Sequence, residues 1–131
     1  MLVDTSEKLT GGIFITFAGN CKKALTFYQN CFGGELEFET FDTPLEGYSD
    51  APVISGSLVS DNLIIHGSDL VHDEGRRVGN HLSVFLPCKS GNHRRVIAAK
   101  LRGTMGSYDE EQRLIEVVDR FEVRWVLGIE K

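Results

Sequence analysis

The chain repeats itself, and the repeat limits its fold more than any other feature. Gly12-Ile13-Phe14-Ile15-Thr16-Phe17 is rich in β-branched and aromatic residues and reads as a strand. Asn20 then offers an N-cap, and Ala24, Leu25, Tyr28, Cys31 and Phe32 recur at helical spacings of three and four. Gly33-Gly34 stops that helix, because glycine enters the left-handed conformation without a Cβ clash. Three strands follow, at 35–41, 52–60 and 62–69. The first alternates Glu35, Glu37 and Glu39 with Leu36 and Phe38. An exposed row of carboxylates discourages edge-to-edge pairing, so the glutamates read as a solvated face. After a polar linker at 70–79 the order begins again. Residues 81–87 are strand-like, and Ser90 or Asn92 caps a helix whose apolar face is Val96, Ile97, Ala99 and Leu101. Gly103 stops it, and strands follow at 104–108, 112–119 and 124–129.

The two copies superpose on landmark glycines. Gly33 and Gly103 both end a helix. Gly67 and Gly128 both follow an apolar triplet, Ile64-Ile65-His66 in one copy and Trp125-Val126-Leu127 in the other. The second copy is shorter by roughly the length of the loop at 44–50. One copy is too small to bury its own sheet, so the two must share a core. The fold class is therefore α+β. Two βαβββ repeats, at about 11–69 and 80–130 of a single domain spanning 1–131, are expected to form one curved, mixed, mostly antiparallel eight-stranded sheet. Its helices cover the convex face, and its concave face is left as a cleft. Such a cleft is a natural seat for a small ligand.

The bulk chemistry excludes some partners. The net charge is −5, with 25% charged and 41% hydrophobic residues. That is the composition of an ordinary soluble domain, and it argues against nucleic acid and anionic membranes as partners. The short run His93-Arg94-Arg95 reads as a solvated helix face. No apolar run approaches the ~20 residues that span a bilayer, and residues 1–10 have no signal-peptide core, so a cytoplasmic location is expected. The three cysteines, Cys21, Cys31 and Cys88, fit a reducing compartment. Cys21 and Cys31 lie about 15 Å apart on one helix, too far to bridge. Cys21 also sits near a helix N-terminus, where the dipole would favour a thiolate.

The stretch Phe17-Ala18-Gly19-Asn20-Cys21-Lys22-Lys23-Ala24-Leu25-Thr26-Phe27-Tyr28-Gln29-Asn30-Cys31-Phe32-Gly33-Gly34-Glu35-Leu36 resembles the opening of the PhnB-like branch of the vicinal oxygen chelate superfamily. That superfamily holds glyoxalase I, the bleomycin resistance proteins and the extradiol dioxygenases. Asp119-Arg120-Phe121-Glu122-Val123-Arg124-Trp125 is similar to that branch's closing Asp-Pro-Phe-Gly-Val-Arg-Trp. The two motifs lie at opposite ends, so the resemblance covers nearly the whole domain. There are departures. The branch's Trp-Gly and aromatic-Gly segment is missing from 103–111, and its closing Pro and Gly are Arg120 and Glu122 here. An altered turn is expected where that glycine is lost. No nucleotide-binding glycine loop is present.

The resemblance implies metal ligands on the first and last strands of each repeat, supplied by His, Gln or Glu. By position these fall at Ile13, at Ile65 or its neighbour, at Asn80 or His81, and at Val126. His81 is the one ligand type at those positions. His66 joins it if the strand register differs by one. No cofactor is therefore favoured, and a divalent metal would have to rest on His66 and His81. Three functions stay open on these residues. The first is a metal-free, dimeric binding module whose cleft is walled by Phe14, Phe38, Phe85, Tyr108 and Trp125, with His66 and His81 at its lining. The second is a metal-dependent lyase, isomerase or dioxygenase, with catalytic residues the sequence does not name. The third is a degenerate domain acting through protein contacts alone. A homodimer is expected in order to cover exposed sheet edges.

Overall fold

The computed structural model describes residues 11–40, 52–61, 63–69, 79–102 and 110–130. In chain order its elements are β1 (Ile13–Thr16), α1 (Cys21–Phe32), β2 (Glu35–Thr40), β3 (Val53–Val59), β4 (Ile64–Ser68), β5 (Val84–Cys88), α2 (Gly91–Arg102), β6 (Ile115–Val118) and β7 (Arg124–Ile129). The strand expected at 104–108 lies outside the described residues, as does Tyr108.

The strands form two sheets, ordered β1-β4-β3-β2 and β5-β7-β6. The same rule builds both. The strand before the helix pairs in parallel with the last strand of its half, β1 with β4 and β5 with β7, and the other pairings are antiparallel. A parallel neighbour requires a crossover, and α1 and α2 begin those crossovers. Among the described residues these are separate sheets of four and three strands rather than one continuous sheet.

Side-chain alternation sorts each strand into a face towards the helices and a face away from them. Leu58 and Ile65 pair across β3 and β4 and are buried under α1. One step along, Gly56 and Gly67 pair on the same face. A Cβ at Gly67 would lie 2.9 Å from Cys21 Sγ and 3.0 Å from the Phe17 ring. Glycine there lets α1 lie directly on β4. In the second half Trp125 and Leu127 of β7 and Val117 and Ile115 of β6 turn inward in the same way.

One core joins the halves. The Tyr28 ring on α1 stands 5.3 Å from the Trp125 ring, and the Phe32 ring of the same helix stands 5.2 Å from it. Each half thus buries its apolar face partly against the other. Two buried carboxylates hold the connections. Asp69 Oδ1 accepts from Gly19 N at 2.8 Å and Cys21 N at 3.1 Å, while Oδ2 accepts from Val53 N at 2.9 Å. It therefore supplies the cap of α1 that Asn20 was expected to give. Asn20 makes no side-chain capping bond, and its Oδ1 is buried without a partner. The expectation misses because a carboxylate distant in sequence reaches the free amides first and carries the charge the helix start favours. In α2 the cap is Ser90, whose Oγ accepts from His93 N at 3.1 Å, and His93 Nδ1 accepts from Lys89 N in return.

The run at 93–95 is not a solvated face throughout. Arg94 is 1% exposed and donates to the carbonyls of Glu110, Gln112 and Arg113. A guanidinium carries five fixed donors, so one side chain can tie down a stretch of irregular backbone.

Candidate functional site

Elimination begins with the thiols. Cys21 is fully buried, and burial together with the nearby Asp69 carboxylate pushes its thiol up to about 12. Helix position alone pointed to a thiolate. Desolvation is the larger effect, and the carboxylate that caps the helix opposes ionisation as well. Burial likewise raises Cys31, to about 11, and Cys88. Burial thus disfavours the thiolate form of all three.

Asp119 is the second eliminated candidate. Its Oδ2 accepts from Tyr28 Oη at 2.6 Å and Trp125 Nε1 at 2.8 Å, and its Oδ1 accepts from Phe121 N at 2.7 Å and Val123 N at 3.2 Å. Both oxygens are committed to the β6–β7 turn and the core. The Tyr28 hydroxyl is pushed well above the usual phenol range, first by burial and then by its bond to Asp119. This group is structural. Glu122 takes φ 68°, a left-handed conformation that glycine adopts most readily, and its N–H donates to Asp119 O at 3.0 Å.

What remains are the sheet faces turned away from the helices. On the first sheet Phe14 of β1 lies beside His66 of β4, His66 beside Ser57 of β3, and Ser57 beside Glu37 of β2. Phe14 is 59% exposed, and His66 is exposed too. On the second sheet Phe85 of β5 lies beside Val126 of β7, and Val126 beside Glu116 of β6. Phe85 is 57% exposed, and its ring reaches across to Gly128. By topology Phe85 corresponds to Phe14, Val126 to His66 and Glu116 to Ser57, so the two rows share only the leading aromatic.

This geometry corrects the register. Ile13 and Ile65 turn towards α1, with Ile65 fully buried. The helix-free positions of the first repeat are Phe14 and His66, one residue further on. Alternation makes a slip of one residue a change of face, and the sequence pattern, apolar on both sides here, could not fix it. His81 does not lie on a strand. It precedes β5 in a bend and is exposed. Phe85 and Val126 hold the corresponding positions of the second sheet. No group of three or more His, Cys, Asp or Glu side chains with metal-holding geometry occurs among the described residues.

Two other expected wall residues belong to the interior. Trp125 is fully buried against Tyr28 and Phe32. Phe38 lies on the α1 side of β2, with its ring against the space a Gly56 Cβ would fill. Of the expected set, the structure brings together Phe14 with His66, and it leaves Phe85 exposed beside Val126.

Sequence reasoning passed over two cavities. One, of about 660 Å³, lies between the halves, with Phe32, Leu63, Phe85, Val96, His93 and Lys100 among its lining residues. The other, of about 820 Å³, lies between α1 and the β6–β7 turn and is lined by Lys22, Lys23, Thr26, Phe27, Asn30, Thr40, Arg120 and Phe121. Arg120 in place of the branch's proline was the available signal for the second.

No protein-family model and no curated protein sequence matches the chain. Solved structures do. Protein PA1353 from Pseudomonas aeruginosa superposes with a TM-score of 0.72 at 24% identity, over 94% of this chain and 98% of that one. A PhnB protein from Bacillus cereus superposes with a TM-score of 0.72 at 20% identity, over 95% of this chain and 100% of that one. The shared property is the fold. No helix among the described residues is long and apolar enough to cross a membrane.

Proposed function

We propose that this chain is a small-molecule-binding protein of the glyoxalase and bleomycin resistance type, a single domain of two βαβββ repeats, and that it works without a catalytic metal. One observation carries the reading. Phe14 beside His66 and Phe85 beside Val126 occupy neighbouring helix-free positions on the parallel strand pairs. A divalent ion needs three or more nitrogen, oxygen or sulfur donors from the protein to act as a Lewis acid. Phenylalanine and valine supply none. The same side chains suit a partly apolar ligand, with two aromatic faces and one imidazole to orient a polar group.

The likeness to a PhnB protein supports the placement in the PhnB-like branch, and the opening and closing motifs support it independently. Exposed apolar residues at the β6 edge of the second sheet, Leu114 and Val118, favour a homodimer that covers them. Three buried, unbridged thiols fit the cytoplasm. The competing reading, a metal-dependent lyase, isomerase or dioxygenase, would need His66 to be joined by further ligands at positions now apolar.

The test is an amide-resolved NMR titration with a library of small, uncharged aromatic fragments. Binders are expected to shift Phe14, His66, Phe85 and Val126. Binders that consistently leave all four unmoved would refute the proposed face.

A further inference from the structure

We propose a second ligand site, specific for a small organic anion with a flat aromatic body, in the cavity between α1 and the β6–β7 turn. Four observations converge there.

The first is charge. Lys22, Lys23 and Arg120 line the cavity, and no carboxylate lines it among the described residues. None of the three cations enters an ion pair among the described residues, where the ion pairs fall on Lys89, Arg95 and Arg124 instead. Glu122 lies in the same turn but does not line the cavity.

The second is a conflict with helix electrostatics. The N-terminal turn of α1 has no acidic residue and carries Lys22 and Lys23. Cations at a helix N-terminus oppose the macrodipole and weaken the helix. Asp69 already caps this turn, so the two lysines add a cationic flank that the cap does not use. A bound anion would be favoured by both lysines.

The third is the floor. Phe27 and Phe121 lie with ring centroids 5.6 Å apart, and Phe121 also packs edge-on against Phe17 and Tyr28. Phe121 is only 9% exposed, so this surface is held from beneath and keeps its shape. An apolar floor with a cationic rim selects an aromatic anion over a bare inorganic one, which would gain nothing from the rings.

The fourth is pre-organisation. Arg120 sets its guanidinium 4.7 Å from the Phe27 ring centroid. Stacking holds the fork over the cavity before a ligand arrives, so less freedom is lost on binding. The volume, about 820 Å³, falls within the range of small-molecule sites.

The residues are separate from Phe14, His66, Phe85 and Val126, so this site stands or falls independently of the proposed function. The experiment is a titration of the full chain with naphthalene-1-sulfonate, followed by calorimetry and amide NMR, with neutral 1-naphthalenemethanol as comparator. Saturable one-to-one binding is expected, with shifts at Lys23, Phe27 and Phe121. The comparator should bind at least about tenfold more weakly, and affinity should fall as salt rises from low to physiological levels. Arg120→Gln and Lys23→Gln should each weaken the sulfonate severalfold, and the double variant by about tenfold or more. Both side chains are exposed, so thermal midpoints should stay unchanged. Equal affinity for the neutral compound, unaltered affinity in the double variant, or shifts confined to the sheet faces would each overturn the site.

Discussion

Single residues carry the departures from the resembling branch, and they can be tested singly. Glu122 occupies a left-handed backbone conformation at φ 68°. An L-residue there bears about 1–2 kcal/mol of strain, while glycine adds back roughly 0.5–1 kcal/mol of chain entropy. Glu122→Gly should therefore stabilise the protein by about 0.5–1 kcal/mol in urea unfolding, with an unchanged slope. A loss of stability would show that Glu122 makes contacts that outweigh its strain. The thiols give a pH prediction. Cys21 is raised from 9.0 to about 12 and Cys31 to about 11, chiefly by burial. Below pH 9 both states keep these thiols protonated and stability does not depend on them. Above it the unfolded chain releases protons that the folded chain retains, so stability falls as pH rises through 11–12. A Cys21→Ala variant should show a shallower decline between pH 9 and 11. In the native protein at neutral pH, a thiol reagent such as dithiobisnitrobenzoate should label far less than one equivalent until denaturant is added.

At the scale of elements, the reading from sequence succeeded where local signals were sufficient and failed where distant residues decided. The limits of α1 follow from the spacing of Ala24, Leu25, Tyr28 and Cys31 and from Gly33, and the structure places the helix at Cys21–Phe32. The alternation of β2 identified its exposed glutamates for the same reason. The cap of α1 was not legible, because Asp69 lies 48 residues from the amide it accepts at Cys21. The register of β1 was not legible either, since Ile13, Phe14 and Ile15 are all apolar and give alternation no contrast. That one-residue uncertainty concerns the metal positions the resemblance implies, carried over to Ile13 and Ile65, whereas Phe14 and His66 were already expected at the cleft and lie on the helix-free face. Burial of Arg94 was hidden because its partners are backbone carbonyls, which leave no mark in sequence. The Asp69 cap has a direct test. Asp69→Ala strips the partner from three backbone donors at Gly19, Cys21 and Val53. The expected loss is about 3 kcal/mol, with faster amide exchange at the start of α1. A loss below about 1 kcal/mol would mean that water replaces the carboxylate without penalty.

At the scale of the whole molecule, the repeat carried the topology further than it carried the chemistry. Both halves pair the strand before the helix with their last strand, although the matched Gly67 and Gly128 turn to opposite faces, and the halves share a core through Tyr28, Phe32 and Trp125. Of the neighbouring helix-free residues Phe14, His66, Phe85 and Val126, only His66 is of a metal-ligating type. The central claim is that the helix-free faces bind a small molecule through aromatic and apolar contacts rather than through an ion. Its most direct test is elemental analysis of the full chain, purified without chelators and without metal-affinity resin. The account predicts well under ~0.2 equivalents of zinc, manganese, iron, nickel or cobalt per chain, since one imidazole cannot hold a stoichiometric ion. About one equivalent of any of them, lost together with ligand binding in a His66→Ala variant, would contradict it.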